Sequence, residues 1–316
     1  MSAAASGWSG RVDLPEGPAT RRWHQWVREP VAGSAPGVAV LGFASDEGVR
    51  RNGGRVGAAE GPAALRAMLS NLPVLDETPL YDAGTVNVVD GDLEGAQQRY
   101  AEKLAALLDA GHLPVGLGGG HEIAFATYQG LAQHLGERRP RVAIVNIDAH
   151  FDLRRQDRGS SGTPFLQAIE HAVARGLPLE YWVYGISLSA NTRMLFDTAD
   201  ALGVHYVRDD ELGVLDLPAR IAQLQAKLAN VDVVYQTICL DALPHAVAPG
   251  VSAPSARGVP LEVVEPLLDA VAATGKLKVL DVAELSPPHD RDKVTARVAA
   301  RLIHRVAHAA GRAAGT

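Results

Sequence analysis

The chain has 316 residues, a formal net charge of −6, and 47 % apolar against 21 % charged residues, the profile of a globular protein with a full core. The acidic balance argues against a general affinity for nucleic acid or for an anionic membrane surface, and no apolar run is long enough to span a bilayer. One cysteine, Cys239, excludes an internal disulfide framework and fits a reducing cytoplasm.

In chain order, residues 1–35 carry little periodicity and several Gly and Pro, and read as an N-terminal surface extension with one short helix. Met1 to Gly10 lacks a basic region followed by an apolar core, so it does not read as a signal peptide. From there strand-like and helix-like stretches alternate. Runs rich in Val, Ile and Leu at Val38–Ala44, Leu113–Leu117, Val142–Ile147, Tyr181–Ile186, Val233–Cys239 and Leu277–Val282 suit strands buried on both faces. Between them, Leu93–Ala110, Glu122–His134, Leu217–Ala229, Leu261–Ala273 and Asp292–Ala309 have the apolar spacing of amphipathic helices. This alternation predicts an α/β fold with a mainly parallel sheet flanked by helices. No repeat or linker divides the chain, which reads as one domain over residues 36–316.

The residues that carry chemistry fall at strand ends, where open α/β sheets place their sites. Asp148, His150 and Asp152 follow the Val142–Ile147 strand at intervals of two. An extended backbone would put all three on one face, and two carboxylates with an imidazole suit a divalent ion such as Mn²⁺. Alone, the same motif also fits two aspartates capping a turn beside an exposed histidine. Gly118-Gly119-Gly120-His121-Glu122 follows a second strand, and Cys239 and Asp241 close a third. Donors at three strand ends are hard to explain as turn chemistry. A Rossmann-type nucleotide site is disfavoured, because Gly118–Gly120 lacks the G-x-G-x-x-G spacing.

GGGHE (Gly118–Glu122), NIDAHFDLR (Asn146–Arg154), SSGTPF (Ser160–Phe165) and LDALPHAVAPGVSAPSARG (Leu240–Gly258) resemble the formimidoylglutamase branch of the arginase/agmatinase (ureohydrolase) family, from about Val38 to the C-terminus. The resemblance implies a three-layer α/β/α arginase-like fold and a two-Mn²⁺ site. His121 and Asp152 would bind one metal, His150 and Asp241 the other, and Asp148 would bridge them. It also implies hydrolysis of N-formimidoyl-L-glutamate to L-glutamate and formamide, a step of histidine degradation, by a metal-activated hydroxide. Asp152 would orient the nucleophile and pass on its proton, and Glu284 would hold the cationic amidine. Family relatives form oligomers, so the resemblance allows a homo-oligomer.

Cys239 departs from the family pattern, which has a bridging aspartate there. As a thiolate it keeps the charge and can still ligate, with selectivity drifting towards Zn²⁺ or Fe²⁺. As a buried thiol it would leave one metal site weak. Arg154 lies where arginases contact the substrate's α-carboxylate, and a guanidinium grips a carboxylate in bidentate fashion. Arg257 is a second candidate for a substrate with two carboxylates. Asn52, with Arg55, is placed at the entrance by the glycine-rich Arg50–Gly57 stretch. Arginases also carry a proton-shuttling histidine where this chain has Ser160–Phe165; Thr163 there can only hydrogen-bond, which disfavours arginine as substrate. Two alternatives stay open: another ureohydrolase acting on a guanidino acid, and a metal-poor, non-catalytic binding protein.

Overall fold

The computed structural model describes residues 5, 7–13 and 17–314. Among these residues eight strands run in chain order: β1 Val38–Ala44, β2 Leu80–Asn87, β3 Leu113–Leu117, β4 Val142–Ile147, β5 Leu179–Ile186, β6 His205–Arg208, β7 Val233–Cys239 and β8 Leu277–Ala283. They form one sheet in the order β2-β1-β3-β8-β7-β4-β5-β6. Every neighbouring pair is parallel. The six strands read from the sequence are present, four of them with the boundaries given above. The two others, β2 and β6, are the sheet's edges.

Among the described residues ten α-helices accompany them: α1 Trp23–Trp26, α2 Glu47–Arg51, α3 Gly61–Leu69, α4 Leu93–Asp109, α5 Ile123–Leu135, α6 Pro164–Arg175, α7 Arg193–Ala201, α8 Leu217–Leu228, α9 Leu261–Ala272 and α10 Val294–Ala314. Side chains alternate along each strand, so one sheet feeds two cores. Val38 and Val40 pack with residues of α3, α8, α9 and α10, whereas Ala39 and Leu41 pack with α4, α5, α6 and α7. The result is the three-layer α/β/α arrangement. Trp23 and Val27, from the segment before residue 36, enter the first of these cores. No helix among the described residues is long and apolar enough to cross a membrane.

The strand order decides where a site can form. β3, β8, β7 and β4 are adjacent at the centre of the sheet. Parallel strands end on the same edge, so the segments leaving these four converge above one crevice.

Candidate metal and substrate site

Each donor is placed by a local device. After β3, Gly119 passes so close to the Ser45 carbonyl that a Cβ would collide with it. Gly120 N–H donates to that carbonyl at 2.9 Å, and Glu284 N–H donates to Gly119 at 2.8 Å. The turn therefore delivers His121 into the crevice. Its Nε2 lies 3.0 Å from Thr237 Oγ1, and Phe165 stands edge-on to its ring at 5.2 Å, leaving Nδ1 to face inward.

Asp148, His150 and Asp152 do converge, but not on an extended strand as expected. The strand stops at Ile147, and Asp152 has φ 51°. The chain folds because Asp148 Oδ1 accepts the His150 N–H at 2.8 Å. Asn191 then pins the bend, accepting the Phe151 N–H at 3.1 Å and donating to the Ala149 carbonyl at 2.8 Å. Asn146 Nδ2 donates to Asp148 Oδ2 at 2.9 Å. Glu284, leaving β8, also has a left-handed backbone, φ 71°, a conformation that costs a non-glycine residue of order 1–3 kcal/mol and persists only where the surroundings impose it. His121 N–H donates to Glu284 Oε1 at 2.8 Å.

The donors fall into two groups that share one residue. His121, Asp148 and Cys239 form the first, and Asp148, His150 and Asp241 the second, with ligand atoms in each group within 4.8 Å of one another. Asp152 Oδ2 joins the first group, 3.0 Å from His121 Nδ1. His150 Nδ1 lies 3.2 Å from Asp241 Oδ2. Cys239, on the last residue of β7, is 1 % exposed.

Four carboxylates and a thiol meet here with only two imidazoles as local cations, an arrangement that is costly without further positive charge. Burial and the surrounding carboxylates Asp148, Asp241, Glu284 and Asp152 push the Cys239 thiol well up. Glu284 is pushed up to about 8 by burial, with Asp241 and Glu122 adding to it. Burial opposes protonation of His121 and His150, yet the neighbouring carboxylates raise both well above the ordinary imidazole value. His121 Nδ1 sits 3.0 Å from Asp148 Oδ2 and from Asp152 Oδ2 but makes a hydrogen bond to neither. Asp241 Oδ1 and Glu284 Oε2 are likewise buried without a partner. Divalent cations would satisfy these atoms and reverse the preference for protons. The donor set fits them.

A cavity of about 200 Å³ opens above this cluster, lined by His121, His150, Asp152, Cys239, Asp241 and Glu284 at its floor and by Asn52, Arg154, Ser161, Asn191 and Ser252 around its walls. Asp148 lies beneath the floor, fully buried. Among the described residues no carboxylate pairs with the half-buried Arg154. Two expected substrate residues are not brought to the cavity. Arg257 is exposed and turns Nε towards the Asp209 carbonyl at 3.4 Å. Thr163 is buried before α6, with Oγ1 donating to Gln167 at 2.8 Å and accepting from Ser160 N–H at 2.9 Å. Arg55 does not line the cavity either; its guanidinium holds the Val251 and Ser252 carbonyls. Asn191 carries little signal in the sequence, where it stands in the Ser187–Thr192 segment after a strand end.

A model of the arginase family matches residues 36–309. The formimidoylglutamase of Ralstonia nicotianae is 55 % identical over 297 residues, covering 92 % of this chain and 91 % of its own. The crystal structure of formimidoylglutamase from Bacillus subtilis superposes with a TM-score of 0.83 at 20 % identity, covering 96 % of both chains. That of Trypanosoma cruzi formiminoglutamase with Mn²⁺ gives 0.76 at 24 % identity, covering 87 % of this chain and 94 % of its own. The two donor groups sharing Asp148 thus sit in a fold and a sequence with one ancestry, and the chain belongs to the arginase family.

Proposed function

We propose that the chain hydrolyses N-formimidoyl-L-glutamate to L-glutamate and formamide, with two Mn²⁺ ions held by His121, Asp148, Asp152 and Cys239 on one side and Asp148, His150 and Asp241 on the other. The observation that carries this reading is one cavity combining the two Asp148-sharing groups, a carboxylate at Glu284 and the Arg154 guanidinium, which pairs with no carboxylate among the described residues. The name of the Ralstonia relative and the Mn²⁺ in the Trypanosoma cruzi structure support it.

When bound, divalent ions lower the pKa of water from 15.7 to about 7 and so supply a nucleophile at neutral pH. The remaining work falls to side chains. Glu284 holds the amidinium of the substrate over the floor of the cavity. Arg154 takes a carboxylate through a bidentate, charge-assisted contact, and Asn52 and Ser161 add neutral donors beside it. Water oxygen bonds to the formimidoyl carbon, and the bond from that carbon to the glutamate nitrogen breaks. Asp152 orients the water and passes its proton to the departing nitrogen. One arginine in the cavity, rather than two, then leaves the second carboxylate to neutral donors.

Mn²⁺-loaded protein should release one formamide and one glutamate per substrate, followed by proton NMR. Urea from a guanidino acid, with no formamide, would sink this reading. Arg154→Met should raise KM about 10–150-fold, the 1.5–3 kcal/mol of a hydrogen bond to a charged group, with little change in kcat. An unchanged KM would remove Arg154 from the substrate.

Cys239 gives a second test. If its sulfur ligates, Cys239→Asp exchanges a soft donor for a hard one. Competition titrations with Zn²⁺ and Mn²⁺ should then shift towards Mn²⁺. Identical preferences in the two proteins would show that the sulfur stays a protonated thiol outside the coordination shell.

A further inference from the structure

Arg51, the last residue of α2, lies outside the cavity but against its wall. Its side chain is 8 % exposed, and all five of its N–H donors are used. Nε donates to Glu47 Oε1 at 2.8 Å. Nη1 donates to Glu94 Oε1 at 2.6 Å and to the Gly159 carbonyl at 2.9 Å. Nη2 donates to the Gly91 carbonyl at 3.0 Å and to Glu94 Oε2 at 3.2 Å. One guanidinium thereby joins α2, the start of α4 and the segment that leads into Ser160–Phe165.

The Gly159 contact bears on the substrate wall. Three residues on, the Gly162 carbonyl accepts the Arg154 N–H at 2.9 Å. A Cβ on Gly162 would press against Arg154 Cδ at 2.9 Å and Asn52 Nδ2 at 3.0 Å. Asn52, the residue after Arg51, donates to Ser161 Oγ at 3.3 Å. Arg51 and Asn52 therefore latch the 159–162 turn from two points, and that turn seats Arg154. Arg158, in the same segment, reinforces the latch through Glu94 Oε2 at 3.3 Å.

We propose that Arg51 is a positioning residue for substrate recognition: by anchoring the Gly159–Gly162 turn to α2 and α4, it fixes where the Arg154 guanidinium meets the substrate carboxylate. This rests on the reading of Arg154 given above. A lysine cannot replace it, because three donors on a point charge cannot satisfy a five-contact planar fork. The latch touches none of the metal-binding residues, so its loss should leave them intact.

The experiment compares Arg51→Lys and Glu94→Gln, each alone and combined with Arg154→Met, in the Mn²⁺-loaded enzyme. KM and kcat are measured for formimidoylglutamate, the Kd of L-glutamate by calorimetry, and metal content and Tm alongside. Arg51→Lys should raise KM and the glutamate Kd together by ~10- to 100-fold, the scale of a misplaced binding group, with kcat and metal content unchanged. Glu94→Gln should do the same more weakly. In the Arg154→Met background neither change should raise KM or Kd further, because the group they position is gone. A fall in Tm alone, or an equal rise in both backgrounds, would overturn the proposal. Should Arg51→Lys fail to fold, the Glu94→Gln pair decides on the same criteria. If the parent enzyme does not turn over formimidoylglutamate, the substrate reading falls by itself, and the glutamate Kd cycle still decides the coupling of Arg51 to Arg154.

Discussion

Asp148→Asn is expected to abolish metal retention and lower kcat/KM by at least about 10³-fold, since water without its cations returns from a pKa near 7 towards 15.7. Asp148 is the one residue common to both donor groups, and it is fully buried. Asparagine has nearly its shape but not its charge, so both groups lose their shared anion in one step. His150 N–H can still donate to the remaining carbonyl oxygen, as it does to Asp148 Oδ1, so the bend at residues 149–151 should survive. Far-UV circular dichroism should match the parent while metal content per chain falls. Activity within tenfold of the parent, with full metal content, would refute the shared-ligand assignment.

Glu284→Gln should separate function from stability. The isosteric amide keeps an acceptor for the His121 N–H but cannot neutralise an amidinium. Truncating one partner of a buried charge pair costs about 2–5 kcal/mol, or ~30- to 5,000-fold in kcat/KM. Stability of the metal-stripped protein should move the other way. Burial, with Asp241 and Glu122 nearby, raises the Glu284 carboxyl from 4.5 to about 8. Between those values the folded chain keeps a proton that the unfolded chain has released, so folding weakens as pH rises through the window. Glutamine carries no such penalty. The Tm of Glu284→Gln should therefore exceed that of the parent by a margin that opens above pH 4.5 and levels off beyond pH 8. A margin independent of pH would show that Glu284 is not held protonated in the stripped protein.

The central strands were legible because burial on both faces demands continuous apolar runs, as in Val142–Ile147 and Val233–Cys239. The edges escaped for the converse reason. Leu80–Asn87 carries Asp82, Gly84, Thr85 and Asn87, and His205–Arg208 is short with a polar residue at each end; neither has neighbours on both sides. α6 was hidden by overlap: Pro164 at its start belongs to the Ser160–Phe165 motif, although Gly176 in a left-handed conformation closes it in the usual way. Around the cavity, His121, Asp148, His150, Asp152, Cys239 and Asp241 carry a signal in the sequence because donors recur after three strands, whereas Glu284 is marked only through the family resemblance. Asn191, Thr237 and Arg51 could not be read, since their importance lies only in what comes near them from elsewhere in the chain. Arg257 misled for the same reason: its position in a motif carries no information on which way its loop turns.

The sheet order also sets the timing of assembly. β3 and β7 each border β8, and β8 follows the other seven strands of the sheet in the chain. Until residues 277–284 have left the ribosome, the middle of the sheet is missing a member and the crevice lacks Glu284. A nascent chain can gather the Asp148–Asp152 bend early, but it cannot present both donor groups in a closed crevice before its C-terminal quarter arrives. Long-range parallel pairing of this kind is slow, and it leaves apolar strands exposed while they wait. Truncation before β8 should therefore yield an aggregating polypeptide rather than a smaller enzyme, and full metal uptake during synthesis would mark the moment at which the chain has finished folding.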